Sequence, residues 1–279
     1  MTYEAYSPAP DLARYVDCYW SLRGASAATF DSVLPDGRSE ITVHLGTPFE
    51  RKLSDGRVEI QSPALAIGQM RSPVTLRPAG AWHIWGVRFH PDGAWMFTGI
   101  CQSELTECIG ALGTVWGSNA TRWEERLRNA STRTERVCLT DHFLRERRGN
   151  RELDVRLRAA VKTLLAAPAS SIDEVATRTN WSRRQMERVF DSRVGLEPKT
   201  FARLARFQSA LRWRRKAAGC SWADVAARCG YYDQAHLIAD FREFGGEAPR
   251  DLVQACETGS IGLTHFSKTV SAAGDRLAV

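Results

Sequence analysis

Arginine is the residue whose type and crowding could do chemistry in this chain. The 279 residues carry 38 basic and 32 acidic side chains, a net charge of +6. That charge is unevenly placed. Residues 1–150 hold 17 basic and 17 acidic residues and cancel. Residues 178–216 hold 12 basic against 3 acidic, a net +9, and residues 217–258 hold 3 against 7, a net −4. A guanidinium offers a planar fork of donors that matches two phosphate oxygens, so the +9 stretch has the footprint of a phosphate-binding surface. A solvated, arginine-rich helical face has the same composition, and charge alone does not separate the two.

The other reactive residue types are arranged for little. His44, His83 and His90 fall in a β-rich region without a His-x-His pair and a nearby carboxylate, so no metal is expected. Seven cysteines, none spaced Cys-x-x-Cys, fit a reducing cytosol rather than a disulfide framework. Cys18, Cys101, Cys108 and Cys138 lack the context of an activated nucleophile. No Gly-x-Ser-x-Gly and no phosphate loop occurs, and no cofactor is expected. The N-terminus shows no secretory pattern, and no apolar run approaches the ~18 residues of a membrane span, so a cytoplasmic chain without a membrane partner is expected.

The elements that must position these residues divide the chain in two. Ile41, Val43 and Leu45 alternate with Glu40, Thr42 and His44 as in a strand. Short runs at Ala64–Ile67, Val74–Leu76 and His83–Phe89 repeat the theme. Turn residues at Pro35-Asp36-Gly37, Ser54-Asp55-Gly56, Pro78-Ala79-Gly80 and Pro91-Asp92-Gly93 punctuate them. A small barrel or sandwich follows. Helical spacing then predicts helices over 103–116, 119–130 and 134–147. The helices at 103–147 could form a dimer seam or pack on their own barrel. Arg147-Arg148-Gly149-Asn150 reads as a helix end and linker, which sets a first domain at 1–150. A second domain follows at 155–258, and 259–279 reads as a flexible tail.

From Ser171 the sequence repeats at an offset of 50, then 51. Ser171-Ile172-Asp173-Glu174-Val175-Ala176 matches Ser221-Trp222-Ala223-Asp224-Val225-Ala226, and Phe190, Gly195 and Pro198 match Phe241, Gly246 and Pro249. The one inserted residue is Tyr232. Ser171 with Glu174, and Ser221 with Asp224, have capping-box spacing. Asn180 and Gly230 suit a turn that needs positive φ, and Ser182 and Asp233 are N-caps for the helix after it. Helix, turn, helix is a plan whose second helix enters a major groove. Between the copies, Pro198 to Lys216 predicts a helix of roughly 28 Å. That is close to the roughly 34 Å between successive major-groove faces, so two reading heads on this strut could share one side of a duplex. An all-α interaction domain without a DNA role is the competing reading.

These residues resemble those of the AraC family of bacterial transcriptional regulators. Gly230-Tyr231-Tyr232-Asp233-Gln234-Ala235-His236-Leu237-Ile238-Ala239-Asp240-Phe241-Arg242 is similar to the family's second helix-turn-helix signature, and Gly246-Glu247-Ala248-Pro249 to its closing Gly-x-x-Pro. The N-terminal half resembles an AraC-associated sensor domain through Tyr15-Val16-Asp17-Cys18-Tyr19-Trp20, Leu34-Pro35-Asp36-Gly37 and Gly86-Val87-Arg88-Phe89-His90-Pro91. The implied fold is α+β: a small cupin-like β-barrel with following helices, then an all-α double helix-turn-helix domain.

The implied function is a sequence-specific DNA-binding regulator, responsive to an effector through its N-terminal domain and without enzymatic activity. Base contacts would map onto Arg184, Glu187 and Arg188 in the first head, with Ser182, Arg183 and Gln185 beside them. In the second they would map onto Gln234, Ala235, His236 and Ala239, after Asp233. Arginine to guanine and glutamate to cytosine are sound pairings. The implied partners are promoter DNA, a small-molecule effector, RNA polymerase and a second copy of the chain. Arg38, Glu40 and His44, with Trp20, Trp85 and Arg88, could line an effector pocket; taken singly, each reads as strand polarity or core. The alternative function is a cupin-type enzyme or an alkyl-transfer protein fused to a DNA-binding module.

Overall fold

The computed structural model describes residues 1–25, 29–217 and 219–258. The tail expected over 259–279 lies outside the described residues. Ten antiparallel strands make up the first half: β1 (Thr2–Tyr6), β2 (Val16–Gly24), β3 (Asp31–Val33), β4 (Glu40–His44), β5 (Phe49–Lys52), β6 (Val58–Ile60), β7 (Ala64–Ile67), β8 (Val74–Pro78), β9 (Trp82–Phe89) and β10 (Ile109–Ala111). One sheet runs β1-β2-β9-β4-β7-β10 and the other β3-β8-β5-β6.

Side-chain alternation decides what each face of the larger sheet meets. Ile41 and Val43 of β4, with Trp85, Val87 and Phe89 of β9, face outward. There they pack under helices α1 (Trp95–Thr98), α2 (Leu112–Trp116), α3 (Ser118–Asn129) and α4 (Arg133–Arg148). The inward face meets the smaller sheet, and Trp20, Leu22, Trp82 and Ile84 join Phe49 to fill that end of the barrel.

The single helix expected over 103–116 does not form. Gln102–Leu105 is one 3-10 turn, Glu107 takes a φ of 61°, and Ile109–Ala111 pairs with β7 before α2 begins. Pairing an otherwise open sheet edge outweighs the helical spacing of so short a run.

The second half is helical: α5 (Val155–Ala166), α6 (Ile172–Arg178), α7 (Arg183–Arg193), α8 (Pro198–Lys216), α9 (Trp222–Arg228), α10 (Gln234–Gly245) and α11 (Pro249–Thr258). Val175, Met186 and Phe190 from one copy of the repeat, and Val225, Leu237 and Phe241 from the other, pack against Phe201, Leu204 and Phe207 of α8 in one core. Asn180 and Gly230 make the two turns at φ 54° and 74°. Glycine meets that requirement without the steric cost a Cβ brings. Ser221 and Asp224 form a full capping box at the start of α9, whereas Ser171 makes no side-chain cap bond to α6.

The two halves touch well away from the linker. Leu34, in the loop after β3, is 4% exposed and belongs to the helical core rather than the barrel's. Gln208 of α8 donates to the Pro35 carbonyl at 2.6 Å. Gly37, at φ 78°, lies so close to Phe201 that a Cβ there would come within 3.2 Å of the ring. On the other side Arg158 of α5 donates to Asp92 at 2.6 Å, and Ser103 donates to Asp191 of α7 at 3.0 Å.

Candidate nucleic-acid interface and effector cavity

The second helix of the first helix-turn-helix unit is set by its cap. The Ser182 side chain accepts the Gln185 backbone N–H, and Gln185 Oε1 accepts the Ser182 N–H at 2.9 Å, which fixes the start of α7. Met186 and Phe190 bury the opposite face. Helical geometry then turns Arg183, Arg184, Gln185 and Arg188 outward, and all four are exposed. Arg183 pairs with Glu187 at 2.9 Å and with Asp173 at 3.6 Å, so Glu187 is engaged before any base arrives. Arg184 and Arg188, one turn apart, make no ion pair among the described residues.

The second head presents different chemistry. Asp233 caps α10, its carboxylate accepting the His236 N–H at 2.8 Å, and so is committed to holding the helix. Gln234, Ala235, His236 and Ala239 are exposed on the outward face. The His236 ring meets Tyr231 edge-on, with centroids 5.7 Å apart. Tyr232, the residue without a counterpart in the first copy, is 93% exposed beside these positions. Its insertion was the available signal for it.

Packing redistributes the charges that the sequence counts. Arg203 of α8 donates to Asp240 at 2.7 and 3.0 Å and pairs with Glu243. Asp240 is 0% exposed. Arg206 donates to the Gly230 carbonyl at 3.0 Å and stacks over Tyr231 at 4.8 Å. Arg193 stacks over Trp95 of the first half at 4.6 Å. Three arginines of the +9 stretch are therefore held internally. Two carboxylates of the −4 stretch are neutralised by the strut between the heads.

In the β half, Arg38, Glu40 and Arg88 come together at the end of the barrel left open by Trp20 and Trp82. Arg88, 3% exposed, donates to Asp36 and Glu40 and lies 3.6 Å from Asp17. Arg38 reaches Asp17 at 3.0 Å. These groups floor a cavity of about 90 Å³ whose walls are Val33, Leu34, Ile67, Met70, Val74 and Ile109. Burial raises the pKa of Glu40, and the neighbouring Arg88 opposes that. Burial also lowers the pKa of Arg38.

The remaining residues expected there lie elsewhere. Trp20 sits over Gly86 in the packed end of the barrel. His44 is buried beside Phe49, with ring centroids 5.3 Å apart, and burial depresses its pKa to about 4. Trp85 faces the opposite side of the sheet and donates to Thr140 of α4 at 3.1 Å, because the odd positions of β9 point outward. The sequence reading passed over Asp17 and Asp36; Asp36 looked only like turn chemistry.

Two family models match separate stretches of the chain. Residues 4–109 match a domain of unknown function, DUF6597, and residues 175–255 match a helix-turn-helix domain. An 83-residue stretch is 35% identical to the HTH-type transcriptional regulator GbdR of Pseudomonas aeruginosa, covering 29% of this chain and 22% of that protein. The chain thus spans about a fifth of that relative's length. Among solved structures, an AraC-type transcriptional regulator from Chromobacterium violaceum aligns at 25% identity over 38% of this chain and 96% of its own, with a TM-score of 0.34. ToxT from Vibrio cholerae aligns at 6% identity over 85% of this chain and 98% of its own, with a TM-score of 0.48.

Proposed function

We propose that this chain, whose residues 175–255 match a helix-turn-helix domain and residues 4–109 a DUF6597 domain, is a sequence-specific DNA-binding regulator of transcription of the AraC type that answers to a small molecule through its β half. One observation carries the DNA reading. Two capped helix-turn-helix units sit on a single strut, and the outward face of the first presents Arg184 and Arg188 uncommitted to any ion pair among the described residues. In this reading Arg184 and Arg188 take base edges or phosphates, Arg183, Ser182 and Gln185 flank them, and Glu187 reads a base once Arg183 is shared. Gln234, Ala235, His236 and Ala239 offer one amide, one imidazole and two apolar contacts, while Asp233 acts as the cap that aims them.

The response to an effector rests on the Leu34–Gly37 loop, which borders the barrel-end cavity on one side and α8 on the other. RNA polymerase and a second copy of the chain are further partners of the same reading. Light scattering of the full chain tests the latter, and a monomer mass at micromolar concentration removes it. No catalytic step belongs to the chain in this reading. The Cys18 thiol is pushed up to about 12, chiefly by burial, the opposite of nucleophile activation. No helix among the described residues is long and apolar enough to cross a membrane, which is compatible with a cytoplasmic regulator.

The test is selection of bound duplexes from a random library by the full chain. The expected result is an enriched motif with two elements about 10 bp apart, the larger information content lying in one of them. A library without enrichment overturns the proposal.

A further inference from the structure

The ion cluster at the end of the barrel does not balance. Asp17, Asp36 and Glu40 supply three carboxylates, and Arg38 and Arg88 supply two guanidiniums. Asp17 lies within reach of both cations, at 3.0 Å from Arg38 and 3.6 Å from Arg88. That leaves Asp36 and Glu40 to share Arg88. Burial lowers the pKa of His90, and the nearby Arg38 acts in the same direction. With all three carboxylates ionised one negative charge is in surplus, and the raised pKa of Glu40 lets a proton relieve that surplus; the cluster borders a cavity that a cation could enter in the proton's place.

Buried charge is costly unless paired. A ligand that brings the missing positive charge improves the site, and one that brings another negative charge doubles the imbalance. A bare divalent cation is a poorer fit: among the described residues no group of three or more His, Cys, Asp or Glu side chains is placed to hold a metal. Val33, Ile67, Met70, Val74 and Ile109 call for an apolar body behind the charge. The volume, about 90 Å³, limits that body to a few carbons; a cavity of about 150 Å³ accommodates benzene.

We propose that the barrel-end cavity takes a small organic cation, an amine or guanidine on a short apolar body, with its charge seated on Asp36 and Glu40. This deepens the effector reading and rests on it only for the biological consequence. Asp36 belongs to the same loop as Leu34, which is lodged in the helical core, and Pro35, which accepts from Gln208 of α8. A cation that draws Asp36 away from Arg88 shifts the loop that borders the strut between the reading heads. Occupancy therefore changes DNA affinity as well as stability.

The experiment is thermal unfolding of the full chain with n-butylammonium, n-butanol or butyrate at matched ionic strength. Butylammonium should raise the melting temperature by about 3 °C at about ten times its dissociation constant, with no comparable shift from the other two. Equal shifts from butanol would leave only an apolar hole and overturn the proposal. A larger shift from butyrate would show the guanidiniums dominating and overturn it as well, as would no shift from any of the three. Two variants locate the effect. Glu40→Gln should weaken the amine about tenfold, and Met70→Trp, which fills the cavity from its wall and leaves the ion cluster intact, should abolish the shift. A full response in both variants places the amine elsewhere and overturns the assignment. DNA affinity is read in the same samples on the selected duplex. Amine binding without DNA binding sinks the regulator reading and leaves the cavity assignment standing. DNA binding without any amine effect on stability does the reverse.

Discussion

The molecule buries two ion networks, one in each half, and they are built on opposite plans. In the helical half the hub is an anion: Asp240, fully buried, is met by Arg203, with Arg206 at 4.0 Å and Glu243 completing the count. Two guanidiniums face two carboxylates, with Arg203 stacked over Phe244 and Arg206 over Tyr231. In the β half the hub is a cation, Arg88, and its three carboxylates outnumber the two guanidiniums beside a cavity. A balanced network around a fully buried carboxylate acts as a lock, here holding α10 to α8. An unbalanced one beside empty space has a charge still to be satisfied, as a receptor does.

The sharpest way to break this comparison is to unbalance the lock. Asp240→Asn keeps the shape of the side chain and leaves Arg203 and Arg206 with one carboxylate between them. Removing one partner of a buried pair costs about 3–5 kcal/mol, so urea unfolding should show a loss of that size. A loss below about 1 kcal/mol would mean that solvent reaches the network and that it locks nothing.

A second prediction separates arginines that hold from arginines that read. Arg184→Ala should leave the unfolding midpoint nearly unchanged, because the side chain is exposed and makes no ion pair among the described residues. It should cost about 1–3 kcal/mol in DNA affinity at one base pair if the contact is bidentate. Arg203→Ala should do the opposite, destabilising the fold first. If Arg184→Ala instead weakens all sequences evenly and flattens the salt slope by about one, its contact is a phosphate.

Acid should divide the halves in the same way. His44 titrates near 6.5 in the unfolded chain and about 4 when folded, because burial disfavours its charged form. Its folded pKa is depressed, so its contribution is present above the unfolded value and lost as pH falls toward the folded one. Between neutral pH and about pH 5 that single group removes about 2 kcal/mol of stability. His44→Leu should flatten the pH dependence of unfolding over that window. An unchanged slope would assign the acid sensitivity to other groups, such as His83, which burial also depresses to about 4.

Much of the helical half was legible in the sequence because its determinants are local. Caps at Ser182 and Asp233, left-handed turns at Asn180 and Gly230, and apolar anchors at Phe190 and Phe241 are set by spacing within a single helix pair. Period-two alternation likewise put Glu40, Thr42 and His44 on one face of their strand. What escaped depends on pairing between distant segments. Trp85 was grouped with the polar face because its parity along β9 was not weighed against Arg88, three positions on. Leu34 stood out only as part of the sensor-domain resemblance, yet the helical half needs it. Segment charges of +9 and −4 misstate what each unit presents, because Arg203 and Asp240 cancel across the segments, which no local count can register. The helix drawn through 103–116 failed for the same reason: its outcome was decided by β7, 42 residues before Ile109.

The smallest expected effect is also the one that tests the comparison most directly. Glu40→Gln removes a buried charge contacting a buried arginine, just as Asp240→Asn does, yet the outcome should differ. With Glu40 neutral, Asp17 and Asp36 balance Arg38 and Arg88, and the glutamine oxygen can still accept from Arg88. The stability change at neutral pH should stay within about 1 kcal/mol. Its sign should also drift with pH. Burial raises the folded pKa of Glu40, so the wild-type carboxyl contributes fully below its unfolded value and loses that contribution as pH rises through the folded one. The glutamine variant should therefore gain on the wild type as pH increases. If Glu40→Gln costs as much as Asp240→Asn, the barrel network has no surplus charge, and both halves are locked in the same way.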